Sequence, residues 1–291
     1  MKYDKCKKIN FSTEYEGSAA SHIDGCELLA VIKDLPNQLA SGKAKKVSQH
    51  YDSVIYLELN TLSSTGAVAV KKFGEQHLFK DWYDFTFSTQ AQRSFEAAEL
   101  LIANNIKTPR AIGWINQWQG RRLKASFYLS EFVEAISVRD ALMRIQQELA
   151  DNSEMMMALL CTIAPAIRSM HDFGFFHGDL GNQNIMLPGK KFQSNAHPMF
   201  IDLNRYKLSS SALSLRARSK DLARMLFPSK YRRALFDIYA DGSLSVDQLW
   251  RVAERKRKLI AVKRQTRPLR HPINTFKGKY KSDRSDAKSI C

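Results

Sequence analysis

Cysteine is scarce and scattered. The 291 residues hold four, Cys6, Cys26, Cys161 and Cys291, with no C-x-x-C pair and no histidine cluster beside any of them. That excludes a disulfide framework and a cysteine-built zinc site, and it predicts a reducing compartment. Long apolar runs are missing as well. The longest, residues 155–167, contains Pro165 and falls short of the roughly 20 residues a helix needs to cross a bilayer. It reads as a buried helix. No N-terminal stretch joins a basic start to an apolar core and a small-residue cleavage site, so the sequence predicts a soluble cytoplasmic protein. Internal repeats and long low-complexity tracts are absent too. What remains is a chain of 291 residues, enough for one large domain or two lobes sharing a cleft, with a full core and no staples.

Acidic residues are in deficit. Lysine and arginine total 45 against 29 aspartates and glutamates, a net charge of +16, and the excess is uneven. Residues 251–291 carry 14 Lys/Arg against only Glu254, Asp283 and Asp286, whereas the preceding residues are nearly balanced. A cationic tail on a balanced body seeks a polyanion: nucleic acid, an anionic membrane face or a phosphorylated glycolipid. No aromatic-rich single-strand motif accompanies it, so no specific nucleic-acid partner is expected.

Along the chain, residues 1–35 show no clear period and read as an irregular N-terminal extension. Residues 54–59 and 67–71 are β-type runs around a polar stretch, which predicts an antiparallel hairpin. Thr89 with Gln92 predicts a capped helix from about 90 to 103. Two further strands follow at 111–114 and 125–132. Past an extended link near 130–135 the pattern turns helical. One helix starts at Ser137, and another runs from Ser153 to Asp172. In the second, Met156, Leu160, Ile163, Ile167 and Met170 recur at spacings of three and four. Helices are also expected near 219–226 and 245–258. The reading is an α+β, two-lobed protein-kinase-like fold: an antiparallel β-rich lobe with one inserted helix at 36–130, a mainly helical lobe at 131–265 and a basic tail at 266–291.

The chemistry concentrates in His177-Gly178-Asp179-Leu180-Gly181-Asn182-Gln183-Asn184, an H-x-D-x-x-x-x-N spacing, with Asp202 downstream in Phe200-Ile201-Asp202-Leu203-Asn204-Arg205. Phosphoryl transfer accounts for these types in this order, because its catalysis is mostly positioning and charge neutralisation. Asp179 fits the carboxylate that orients an acceptor hydroxyl and takes its proton. Magnesium prefers hard oxygen ligands and needs few from protein, and Asn184 and Asp202 would supply them. Lys71 ends the apolar strand Val68-Ala69-Val70, where a cation would hold the α- and β-phosphates of ATP. Asp221 reads as a buttress that hydrogen-bonds the loop backbone, and His177 as a buried brace.

In these residues the chain resembles the lipopolysaccharide kinase family, whose members phosphorylate Kdo or heptose sugars of the lipid A–core region. The Asp-Leu-Asn-Arg string at 202–205, the 216–222 segment that follows without a long activation segment, the strand at 125–131 and the helix end at 167–171 carry the resemblance. It implies an ATP- and Mg²⁺-dependent kinase acting on a lipopolysaccharide precursor at the anionic inner-membrane surface, held there by the basic C-terminal segment. It further implies adenine contacts from the backbone near Glu131 and Val133, and a helix acid paired with Lys71. The E-x-x-x-L spacing favours Glu96 for that acid; Glu99 is one turn on, and a gapless match lands on Ser94. A glycine-rich phosphate loop is poorly represented, with Gly42 its best candidate. A small atypical Ser/Thr protein kinase and a nucleotide-binding pseudokinase are the alternatives.

Overall fold

The computed structural model describes residues 9–48, 53–59, 62–73, 88–148 and 153–266. Residues 267–291 of the expected basic tail lie outside them. Among the described residues, one compact unit runs to Glu134 and includes Met199–Tyr206; the other comprises Ala135–Pro198 and the residues from Lys207 on.

The first unit is built on an antiparallel sheet. Its strands are β1 (Ile9–Asn10), β2 (Tyr15–Ala19), β3 (Ala44–Ser48), β4 (Ser53–Glu58), β5 (Ala67–Phe73), β6 (Ala111–Gln119) and β7 (Arg122–Glu131), in the order β1-β2-β6-β7-β5-β4-β3. The hairpin read at 54–71 is β4 and β5, paired from Ser53 opposite Lys72 to Glu58 opposite Ala67. Alternation along β5 sends Val68 and Val70 to one face, where they pack with Ile55 and Leu57 against Leu28, Ile32 and Leu35 of α1 (Gly25–Ala40). Lys71 therefore faces the other way, the side on which α2 (Gln90–Ala103) packs against β5, β6 and β7. Thr89 caps α2 as read, its hydroxyl accepting from Gln92 N at 3.2 Å.

Residues 1–35 were expected to be irregular, and α1 corrects that expectation. Asp24 caps it by accepting from Cys26 N at 2.9 Å, and Leu28, Ile32 and Leu35 form its buried stripe. The unbroken apolar run from Leu28 to Ile32 hides the helical period that those three residues use. Strand β2 is equally hard to read alone, because its place comes from its partner β6.

The second unit contains β8 (Ala135–Ser137), α3 (Val138–Glu148), α4 (Ser153–Asp172), β9 (Phe175–Phe176) and β10 (Ile185–Pro188). After β11 (Met199–Phe200), which belongs to the first unit, come β12 (Lys207–Leu208), α5 (Leu215–Leu222), α6 (Ser229–Ala240) and α7 (Val246–Gln265). Strand β8 pairs with β10, and β9 with β12, both antiparallel. The five α4 residues read as a stripe are all fully buried. Helix α6 was not anticipated: its buried face includes Leu235 and three aromatic residues with weaker helix preference, Tyr231, Phe236 and Tyr239. Helix α5 starts four residues before the expected 219, behind the cap residue Ser214.

Candidate active site

Two groups of polar side chains, one in each unit, hold most of the residues picked out by their chemistry. In the first unit Lys71 Nζ donates to Asp202 Oδ1 at 2.6 Å, with both side chains partly exposed at 18% and 29%. Asp202 follows β11 and takes a left-handed conformation, φ 60° and ψ 50°, before the single turn Leu203–Arg205. A non-glycine residue there costs about 1 kcal/mol, so its neighbours must enforce it. They do so from both sides. Ahead of Asp202, Phe200 N donates to Lys107 O at 3.0 Å and Thr108 Oγ1 donates to Phe200 O at 2.7 Å. Behind it, Arg93 of α2 donates through Nε to Asn204 O at 3.0 Å.

The α2 acids have other engagements. Glu96 accepts from Gln92 Nε2 at 2.9 Å. Burial, with the Glu96 charge adding to it and Arg93 opposing, pushes the Tyr206 phenol up to about 12. Glu99 is half-buried, and desolvation raises its carboxyl against the pull of His22 and Arg110. Ser94 is buried and donates to Gln90 O at 2.8 Å inside the helix. Gly42 has φ 76° in the turn between α1 and β3. It stands just past the C-terminal end of α1, ahead of β3. Glu131 closes β7, and its carboxylate accepts from Ser64 N at 3.3 Å and Ser64 Oγ at 2.6 Å. The Glu131 side chain is thus occupied, leaving backbone groups as what this segment and nearby Val133 can offer a ligand.

In the second unit the loop after β9 hangs on buried polar groups. Asp221, fully buried on α5, accepts from His177 N at 2.7 Å and from Gly178 N at 3.0 Å. Asp179 N donates to His177 Nδ1 at 3.3 Å, so the buried imidazole braces the turn as expected. Asn182 clamps the far end by donating to Leu226 O at 2.6 Å and accepting from Leu226 N at 2.9 Å. Asn184 Nδ2 donates to Asp179 O at 2.8 Å, which leaves its Oδ1 as the atom available to a cation.

Behind Asp221 lies a second layer. His171 Nε2 is 3.5 Å from Asp221 Oδ2, too long for a hydrogen bond, while His171 Nδ1 is 2.8 Å from Tyr239 Oη. Arg218 donates to that same oxygen at 3.1 Å and pairs with Asp172 at 2.6 Å. Burial pushes the Tyr239 phenol up to about 12, with Arg218 opposing. The phenol therefore keeps its proton at neutral pH.

Sequence reasoning missed Arg224, whose Nη1 donates to Asp179 Oδ1 at 2.6 Å. Arg224 lies in the turn just past the end of α5, where its N–H donates to Asp221 O at 3.0 Å, and no period in the sequence marks it. The chemical content of the two groups differs. The first offers a cation beside a carboxylate; the second offers a carboxylate oriented by an arginine, with an amide oxygen five residues on. All the candidate metal ligands are hard oxygens, which suits magnesium and not a softer metal.

A model of the lipopolysaccharide kinase (Kdo/WaaP) family matches residues 62–253. Among solved structures, one described as "WaaP in complex with acyl carrier protein" aligns with TM-score 0.53 at 16% identity, covering 77% of this chain and 91% of that one. At that identity the likeness speaks for the fold, in agreement with the α+β kinase-like architecture read from the sequence. A BubR1 kinase domain aligns more loosely, with TM-score 0.38, 14% identity, and coverage of 70% of this chain and 50% of that one. A search of curated proteins finds no match.

Proposed function

The chain belongs to the lipopolysaccharide kinase (Kdo/WaaP) family, and on that premise we propose that it transfers the γ-phosphate of ATP, with magnesium, to a Kdo or heptose hydroxyl of the inner core. It is a phosphotransferase with a lipopolysaccharide sugar hydroxyl as acceptor. The observation that carries the finer reading is the 2.6 Å Lys71–Asp202 pair. A cation for phosphate oxygens stands beside a carboxylate for their counter-ion, in a left-handed backbone of the kind that gathers at functional sites.

Bound magnesium would neutralise charge building on the transferred phosphoryl group. Asp202 and the Oδ1 of Asn184 are the residues to hold it. Lys71 fixes the α- and β-phosphates, trading its present carboxylate partner for phosphate oxygens. Glu131 and Val133 offer backbone groups to adenine. Asp179 accepts the proton of the attacking hydroxyl, and Arg224 sets the direction of its carboxylate. The loop bearing Asp179 keeps its shape through Asp221 and Asn182, so orientation precedes substrate binding.

Membrane attachment is part of the proposal. No helix among the described residues is long and apolar enough to cross a bilayer. Helix α7 nevertheless exposes Leu259 and Val262, at 58% and 54%, among Arg255, Lys258 and Lys263. Apolar side chains among cations suit the surface of the anionic leaflet that faces the ATP-containing compartment. The test is phosphate transfer from labelled ATP to Kdo-bearing and heptose-bearing core acceptors, with and without magnesium. Incorporation that needs both metal and acceptor is expected; no transfer to either sugar would overturn the reading.

A further inference from the structure

The concavity beside β9 holds three cations that the reaction as described leaves unused. We propose that Lys207, Arg216 and Lys220 form a subsite for a phosphomonoester already present on the acceptor glycolipid, which holds that lipid while its hydroxyl is phosphorylated. The proposal rests on the kinase reading above and names how that kinase recognises its acceptor.

The concavity has a volume of about 450 Å³, and its lining includes Phe176, Lys207, Leu208, Ser214, Arg216 and Lys220, with no acidic residue. Among the described residues, none of the three cationic side chains makes an ion pair or hydrogen bond. Their neighbours behave differently. Arg168 and Arg218 both reach Asp172, and Arg224 reaches Asp179. Unpaired like charges crowded onto one wall repel each other, and a dianionic phosphate removes that cost. Arg216 also stands in the first turn of α5, whose amide dipoles add to the positive field.

The wall is built and not merely a loose loop. Ser209 N donates to Gly174 O at 2.9 Å and Leu213 N donates to His171 O at 2.9 Å. Gly174, at φ 93°, lies so close beneath this segment that a Cβ would sit 2.6 Å from Ser211 O. Position along the chain ties the concavity to the chemistry. Phe176 lines it and lies three residues before Asp179, which puts their Cα atoms at most about 11 Å apart. Leu208, 50% exposed in the same lining, gives an apolar edge of the kind a lipid-borne ligand meets.

The test is equilibrium binding of the full chain, without ATP, to Kdo-bearing lipid A micelles with their phosphomonoesters intact or enzymatically removed. Wild type should prefer the phosphorylated form by roughly 10- to 100-fold, and Lys207→Ala/Arg216→Ala/Lys220→Ala should abolish the preference. The charge-conserving set Lys207→Arg/Arg216→Lys/Lys220→Arg should retain most of it. Both sets should bind Mg-ATP as wild type does, which also shows that they are folded. In the transfer assay the alanine set should raise the acceptor KM and leave kcat little changed. A preference that survives in the alanine set, or none in wild type, overturns the proposal. So does equal competition by phosphatidylglycerol vesicles, which would make the wall a general headgroup surface. If the preference behaves as stated but wild type transfers no phosphate, the kinase reading falls and the phosphomonoester subsite stands.

Discussion

Asp202 in the first unit and Asp179 in the second are carboxylates of similar exposure, held by different means. Asp202 is placed by its backbone: a left-handed residue between Phe200, tied to Lys107 and Thr108, and Asn204, tied to Arg93. Asp179 is placed by a polar scaffold in which one buried carboxylate, Asp221, accepts two consecutive backbone amides and Asn182 closes the other end. Strain on a well-tied turn concentrates the cost in one residue. A buried hydrogen-bond cradle spreads it over several, any of which is expensive to lose. The two halves should therefore fail differently when mutated.

The largest effect is expected at the reacting end. Asp179→Ala should lower turnover by roughly two to four orders of magnitude, as for loss of a general base. Binding of Mg-ATP should persist, because Lys71 and Asp202 are untouched. Stability should change little, since the Arg224–Asp179 pair is partly exposed and such pairs contribute little net. Turnover within a few fold of wild type would remove Asp179 from the mechanism.

Asp221→Asn sharpens the contrast, because it damages the scaffold without touching the substrate. The amide would keep the volume but turn an N–H₂ toward one of two backbone N–H donors. Leaving a buried donor unpaired, with the carboxylate's charge-assisted bonds lost, costs about 2–5 kcal/mol. The melting temperature should fall by several degrees and turnover should fall with it. A variant that melts as wild type does would mean that the loop is held elsewhere.

Asp202→Asn should do the reverse. Asparagine tolerates the left-handed conformation nearly as well as aspartate, so the turn survives and only the charge is lost. Mg-ATP affinity should drop by about tenfold, roughly 1.4 kcal/mol, with metal-free ATP affinity almost unchanged. Calorimetry giving equal losses for both would count against Asp202 as a metal ligand.

This contrast also marks what could be read in advance. Asp179, Asn184, Asp202 and Lys71 stood out because phosphoryl transfer demands those types at local spacings, and α4 because its apolar period is clean. Arg224, the Asn182–Leu226 clamp and the His171–Tyr239 contact join residues that only the tertiary fold brings together. Such polar partners leave no period in the sequence. The missed helices follow the same logic: α1 hides its stripe in a run of apolar residues, and α6 buries aromatics whose local preference is not helical.

The smallest effect separates the two acids of α2. Desolvation raises the Glu99 carboxyl above its ordinary value of 4.5, with His22 and Arg110 only partly opposing. The folded state thus holds that proton to higher pH than the unfolded chain does. Stability from this group is fullest below the unfolded value and declines as pH rises through the folded one, so near neutrality the ionised Glu99 is a small burden. Glu99→Gln should remove that burden, raising the melting temperature by about 1–2 °C at pH 7.5 and leaving it unchanged near pH 4. Mg-ATP affinity should stay at the wild-type value. If Glu99 were instead the acid that steadies Lys71 for phosphate binding, the same variant would weaken Mg-ATP at every pH. Glu96→Gln is the matching arm: Glu96 sits one turn earlier, engaged by Gln92 and acting on Tyr206. A loss of nucleotide affinity confined to Glu96→Gln would assign it the role beside Lys71; a loss confined to Glu99→Gln would transfer the role to Glu99.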